Sequence, residues 1–375
     1  MDKFKNKLVY LIYVVYKMEI SRKHCYVECS KDFSNISIGL LLRALNKCNI
    51  AYVDFTGSSK NLINFFENLF LNYSFSKNFN KKLDIFKFKK SKFEKLYLPN
   101  VEYQLIAKEN LINELKNYDL IFLDNIDFNV ISKNNLKLLF DILKDKEVVL
   151  RLNNKKDFDS LNIDFDLISE VIFKNNRSLV SNDNIVNIYG NGKGKTTFCL
   201  GLVLRKLMEG KKVRWIGFDK GGDYYSEVFF FNLLKKYSYK HRLKIDFDYI
   251  YTGKPRFIRN NEGNSIFRFR NLEEDYAEAR EGLSLLRTAI RKDFYVFADE
   301  LNSTLLTKLL NIKEVLESLK NCNSKLYITG RINPNDRSNL EIIKISKKVL
   351  EVKEIKHYFN SENKGKRNVK GGIDY

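Results

Sequence analysis

The chain has little of what marks several large classes of protein. Its five cysteines, Cys25, Cys29, Cys48, Cys199 and Cys322, are odd in number and unevenly spaced, with no Cys-x-x-Cys pair. That pattern excludes a disulfide framework and a cysteine zinc site, and it reads as small, buried, reduced thiols. The apolar run "LVYLIYVVY", residues 8–16, is too short to span a bilayer, and no small-residue cleavage site follows it. It is expected to pack on the body of a cytoplasmic protein with no membrane partner. Proline is scarce, with three residues, and the net charge of +20 is not gathered into a basic block. Such a charge suits nucleic acid or a membrane surface. Here Asp and Glu interleave with Lys throughout, Lys, Asn, Ile and Phe are abundant everywhere, and no base-stacking or helicase motif is present. The excess is read as a compositional bias, and no nucleic-acid partner is expected.

What is present is enough chain for two cores: 375 residues, 44% of them apolar. From residue 184 the order of elements is legible. "IVNIY" is a β-branched strand, "GNGKGKTT" a glycine-rich loop, and "TTFCLGLVLRKLMEG" has helical periodicity up to Gly210. "KKVRWIGF", "DFYVFADE" and "SKLYITGR" are further strands. Strands alternating with helices predict a parallel sheet covered on both faces, with its site at the carboxyl ends of the strands. The glycine loop, Asp299-Glu300 and Gly330-Arg331 all fall at such ends and are expected to converge.

The first half repeats this grammar. "YVECSKDFSNISIGLLLRALNKCNIAYVDF" aligns within the segment from Asn187 to Phe218 when Gly39-Leu40 is set on Gly201-Leu202, and Arg43 then falls on Arg205. The register holds without a gap from strand through loop and helix. "YDLIFLDN" parallels "FYVFADE", and "KEVVLRLNN" parallels "SKLYITGR". The chain is read as α/β, two P-loop, RecA-like three-layer domains at 1–180 and 181–375, joined near 174–184. The first copy is degenerate: Gly190 becomes Glu28, Gly194 becomes Asp32, Lys195 becomes Phe33 and Glu300 becomes Asn125. It is not expected to bind a nucleotide.

In the second copy, Gly190, Gly192 and Gly194 let the backbone turn tightly, with Asn191 and Lys193 between them, so that successive N–H groups face an anion at a helix N-terminus. Lys195 brings a full charge to the phosphates, Thr196 a hydroxyl for Mg²⁺, and Thr197 completes the motif. Asp299 and Glu300 at a strand end supply carboxylate oxygens for the same metal. Lys195, Thr196 and Glu300 are the candidate catalytic residues.

These residues, with "ADE", "ITGR" and the terminal "VKEIKHYFN…GGIDY", resemble the P-loop corrinoid adenosyltransferases over about residues 184–375. The resemblance implies that Co(I) of a reduced corrinoid attacks C5′ of ATP and expels intact triphosphate. It implies ATP, Mg²⁺ and cob(I)alamin or a related corrinoid as ligands, and a flavoprotein as electron donor. It places Arg205 and Arg331 near the nucleotide. It also implies an aromatic loop under the corrinoid, matched here by Phe267, Phe269 and Asn271, although the loop is longer and has drifted. Family members are commonly homodimers, so the fused copies suggest an internal pseudo-dimer compatible with a monomeric chain. The drift leaves a second reading open, an ATP-binding regulatory or scaffold protein derived from the family.

Overall fold

In the computed structural model one sheet of 14 strands runs through both halves of the chain. The residues described are 22–28, 35–56, 60–71, 82–89, 92–98, 102–175, 181–191, 193–222, 225–238, 245–255, 257–259, 265–267, 273–333 and 335–356. The "LVYLIYVVY" run, Asp32, Phe33, Gly192, Phe269, Asn271, His357 and "GGIDY" lie outside them. No helix among the described residues is long and apolar enough to cross a membrane, and the described cysteines are free thiols.

The first half begins with β1 (Lys23–Val27), α1 (Asn35–Ala44), β2 (Ile50–Asp54), α2 (Lys60–Leu71) and β3 (Leu83–Lys89). It continues through β4 (Lys92–Leu98), β5 (Glu102–Ala107), α3 (Leu111–Leu115), β6 (Leu120–Asp124) and α4 (Lys133–Ile142). β7 (Glu147–Leu152), α5 (Lys155–Asp159) and β8 (Leu167–Asn175) close it. The second half opens with β9 (Asn182–Tyr189), α6 (Lys195–Met208), β10 (Val213–Phe218), α7 (Glu227–Ser238) and β11 (Phe247–Thr252). A two-stranded hairpin follows, β12 (Phe257–Arg259) with β13 (Ser265–Phe267). Then come α8 (Glu273–Ala289), β14 (Tyr295–Asp299), α9 (Leu301–Leu306), α10 (Ile312–Leu319), β15 (Lys325–Gly330), α11 (Arg337–Lys344) and β16 (Ser346–Lys356).

Across the sheet the order is β11-β10-β14-β15-β9-β16-β8-β1-β7-β6-β2-β3-β4-β5. The halves meet where β16 runs antiparallel to β8. Outward from that seam, each half presents β16 or β8, then β9 or β1, β15 or β7, β14 or β6, β10 or β2, and β11 or β3. Within each half these strands pair in parallel. Equal order on both sides of an antiparallel seam is the arrangement of two like units around a two-fold axis. The first half adds the antiparallel β4 and β5 at its outer edge.

One core spans the seam. Ile36, Leu40 and Leu41 of α1 pack in the same cluster as Phe198, Val203 and Leu204 of α6, with Leu350 and Val352 of β16. The opposite face of the sheet has a separate core in each half. α1 is buried along nearly its whole length and α6 along most of its own, since the two pack against each other in this core. Where they cross, a Cβ on Gly39 would overlap the carbonyl oxygen of Thr197, and one on Gly201 would overlap that of Asn35. The two contacts are reciprocal, since Asn35 aligns with Thr197 as Gly39 does with Gly201. Only glycine at both crossings lets the backbones approach this closely.

Candidate phosphate site

The loop after β9 and the first turn of α6 form one wall of a cavity of about 190 Å³. Gly190 and Gly194 take φ of 139° and 121°, values that β-carbon-bearing residues avoid, and so turn the chain from strand into helix. Asn191 is exposed on the loop, whereas Lys193, Gly194, Lys195, Thr196 and Thr197 line the cavity with Glu300. The first turn of α6 opens on this space with its N–H groups and the positive end of the helix dipole, which favours an anion there.

The acids meet the loop from the end of β14. Thr196 donates to Asp299 Oδ1 at 2.9 Å, and Thr329 Oγ1, at the end of β15, donates to the same oxygen at 2.6 Å. Lys220 Nζ lies 2.6 Å from Asp299 Oδ2 and 3.2 Å from Glu227 Oε1. Glu300 sits at φ 65°, in the left-handed region, and its N–H donates to Thr329 Oγ1 at 3.0 Å. Its carboxylate accepts from Ser303, whose hydroxyl in turn accepts from the Arg331 N–H at 3.0 Å. A non-glycine residue held at such a φ costs energy that the surrounding bonds must offset.

Charge balance follows from burial and these neighbours. Burial raises the Asp299 carboxyl against the pull of Lys220. For Glu300 burial also acts upward, but Lys220, Lys195, Ser303 and Arg331 together lower it. Burial lowers the Lys195 ammonium, assisted by Arg331 and opposed by Glu300 and Asp299. Burial alone would raise Glu227, yet Lys220 and Arg43 bring it down to about 2. The result is a buried cluster of acidic and basic side chains beside the helix end.

The corresponding end of the first half is filled by its own side chains. Glu28, which stands at the Gly190 position, accepts from the Asn35 N–H at 3.0 Å and the Ile36 N–H at 3.1 Å, and from Asn35 Nδ2 at 2.9 Å. A carboxylate thus occupies the helix N-terminus of α1, where α6 offers its N–H groups to the cavity. Asn125, at φ 52°, takes the backbone conformation of Glu300. Arg151 is fully buried; its Nη1 donates to Asn125 Oδ1 at 2.6 Å, and its Nε lies 3.5 Å from Asp124.

Most of the residues expected from sequence therefore come together, and some do not. Arg331 is exposed at the rim, near enough for its charge to reach Lys195 and Glu300. Arg205 does not line the cavity; its charge is felt instead by Tyr327 of β15. Phe267 lies in β13, and Phe269 and Asn271 fall outside the described residues. Sequence reasoning missed Lys220, Thr329 and Ser303. Lys220 stands two residues past the end of β10, where sites in such sheets lie, and that signal could have found it. It also missed Tyr26, Leu40 and Arg43, which line the cavity from the first half.

The donor set suits a magnesium ion, which takes one or two carboxylates and completes its shell with water and phosphate oxygens. Thr196 and the Asp299-Glu300 pair offer those oxygens beside the loop. A family model described as ATP:corrinoid adenosyltransferase BtuR/CobO/CobP matches residues 182–375, just over half of the chain. No curated protein matches the sequence.

Proposed function

Since the chain belongs to this ATP:corrinoid adenosyltransferase family, we propose that residues 181–375 transfer the 5′-deoxyadenosyl group of ATP to a corrinoid in the Co(I) state. Cobalt attacks C5′, a carbon–cobalt bond forms, and the C5′–oxygen bond breaks with its electron pair on the departing triphosphate. The observation that carries this reading is the loop cavity itself, where Lys195, Thr196 and Glu300 converge on the α6 N-terminus. The loop N–H groups and Lys195 hold the polyphosphate and stabilise the charge that grows on it as the bond breaks. Arg331 meets the same charge from the rim. Thr196, Asp299 and Glu300 would hold Mg²⁺, which supplies further neutralisation of the polyphosphate when bound. Lys220 holds Glu227 ionised in a buried setting and opposes the upward pull of burial on Asp299. Phe267 and Phe269 would cover the lower face of the corrinoid with apolar surface, Asn271 would also bind the corrinoid, and a flavoprotein delivers the electron that makes Co(I).

We read the first half, residues 1–180, as a duplicated copy that has lost its nucleotide site. Glu28 on the α1 N-terminus and Arg151 against Asn125 and Asp124 support that reading, as does the equal strand order on both sides of the seam. The molecule is then an internal pseudo-dimer with one live site, acting in the cytoplasm.

Anaerobic incubation with ATP and chemically reduced cobalamin tests the proposal. The expected product has the light-sensitive spectrum of an adenosylated corrinoid, and Lys195→Ala forms it at least 100-fold more slowly. ATP binding with no alkylated corrinoid would instead support a regulatory protein.

A further inference from the structure

The cavity over the glycine loop is not built by one half alone. Arg43 leaves the last turn of α1 and reaches across the seam, with its side chain 13% exposed. Its Nη1 donates to Thr197 Oγ1 at 3.0 Å, and its Nε lies 3.4 Å from Glu227 Oε2. Thr197 belongs to the first turn of α6, so the guanidinium sits beside the helix end that an anion would meet. A guanidinium is charged at every working pH and carries five N–H donors in a planar fork. That is more than a bond to Thr197 and a contact with Glu227 use.

The symmetry of the fold sharpens the point. Arg43 stands four residues beyond Gly39, as Arg205 stands four beyond Gly201, and the two glycines mark the reciprocal crossing of α1 and α6. Arg43 lines the cavity of the other half, whereas Arg205 does not line it. The helix end of Arg43's own half is already closed by Glu28.

We propose that Arg43 is a polyphosphate ligand, lent by the nucleotide-free half of the chain to the loop of the other half. The proposal rests on the reading that this loop holds the triphosphate of ATP. It makes the first half an obligatory part of the binding site and not only a packing partner.

Calorimetric titration of the full chain with inorganic tripolyphosphate tests it, using wild type, Arg43→Ala, Arg43→Gln and Arg205→Ala. Arg43→Ala is expected to weaken binding at least tenfold and to lessen its dependence on salt, because one cationic contact is gone. Arg205→Ala weakens it less. Arg43→Gln keeps a donor for Thr197 and loses the charge. It is expected to melt close to wild type yet bind at least fivefold more weakly, which a purely structural arginine would not produce. If Arg43→Ala fails to fold, Arg43→Gln decides. A folded variant of either kind that binds tripolyphosphate within twofold of wild type overturns the proposal, as does a wild type that binds none. Adenosyl transfer is read separately: tripolyphosphate binding that depends on Arg43 in a protein with no transferase activity would leave this inference standing and the functional reading refuted.

Discussion

Glu227 shows how single residues join the two halves. Its carboxylate is fully buried and faces Lys220 from its own half and Arg43 from the other. Burial would raise it, but the two cations prevail and hold it at about 2 against an ordinary 4.5. A carboxyl depressed on folding contributes stability that is complete above the ordinary value and is lost as pH falls toward the folded one. The window is therefore about pH 4.5 down to 2, and the contribution is on the order of 3 kcal/mol. Glu227→Gln is expected to melt well below wild type at pH 7 and to close the gap as pH falls through that window. Melting curves that stay parallel from pH 7 to 3 would contradict this account. The same scale shows what residue types reveal and conceal. Lys195 and Thr196 were legible as candidates because phosphate chemistry calls for such residues at that spacing, and the fold brings both to the cavity. Glu28 was legible only as an acid at the glycine position; its reach to the Asn35 and Ile36 N–H groups is something spacing does not encode.

At the scale of elements, the crossing of α1 and α6 sets the geometry of the loop. Gly39 lies in the first half, but a side chain there would meet the carbonyl of Thr197 in the first turn of α6. Gly39→Ala is expected to destabilise the protein by about 1–3 kcal/mol, the usual range for overpacking a close contact. It should also weaken ATP binding more than Gly201→Ala does, because Gly201→Ala pushes on the α1 end, where Glu28 already accepts from the Asn35 and Ile36 N–H groups. Thermal melting with nucleotide titration of both variants measures each effect, and equal affinities for ATP would contradict it. The strands and helices themselves were readable from apolar periodicity and from the gap-free repeat. The glycines served to align the halves, but their purpose was not visible. A helix glycine looks the same whether it faces solvent or another backbone. Arg43 is a similar case, since a helix arginine in sequence is equally well a solvated one.

For the whole molecule, the sequence predicted two like domains but not that their sheets would join. β8 mixes apolar and polar residues and β16 is mostly charged and polar, and nothing in their residues states which edge they cover. The join makes the halves interdependent, because removing residues 1–180 would expose the β16 edge together with the α6 face formed by Phe198, Val203 and Leu204. Each such side chain is worth about 1.5–3 kcal/mol when buried, and an uncovered strand edge invites pairing with another chain. The fragment 181–375 is expected to aggregate or self-associate and to lose most ATP affinity; size-exclusion chromatography with nucleotide binding measures this, and a well-behaved monomer with full activity would contradict it. The central claim is that the loop grips a triphosphate that departs intact while the adenosyl group moves to cobalt. The most direct measurement follows the phosphorus of ATP by nuclear magnetic resonance during anaerobic turnover with reduced corrinoid. The account predicts one tripolyphosphate released for each corrinoid alkylated, with no orthophosphate. Release of orthophosphate or pyrophosphate, or consumption of ATP without alkylated corrinoid, would contradict it.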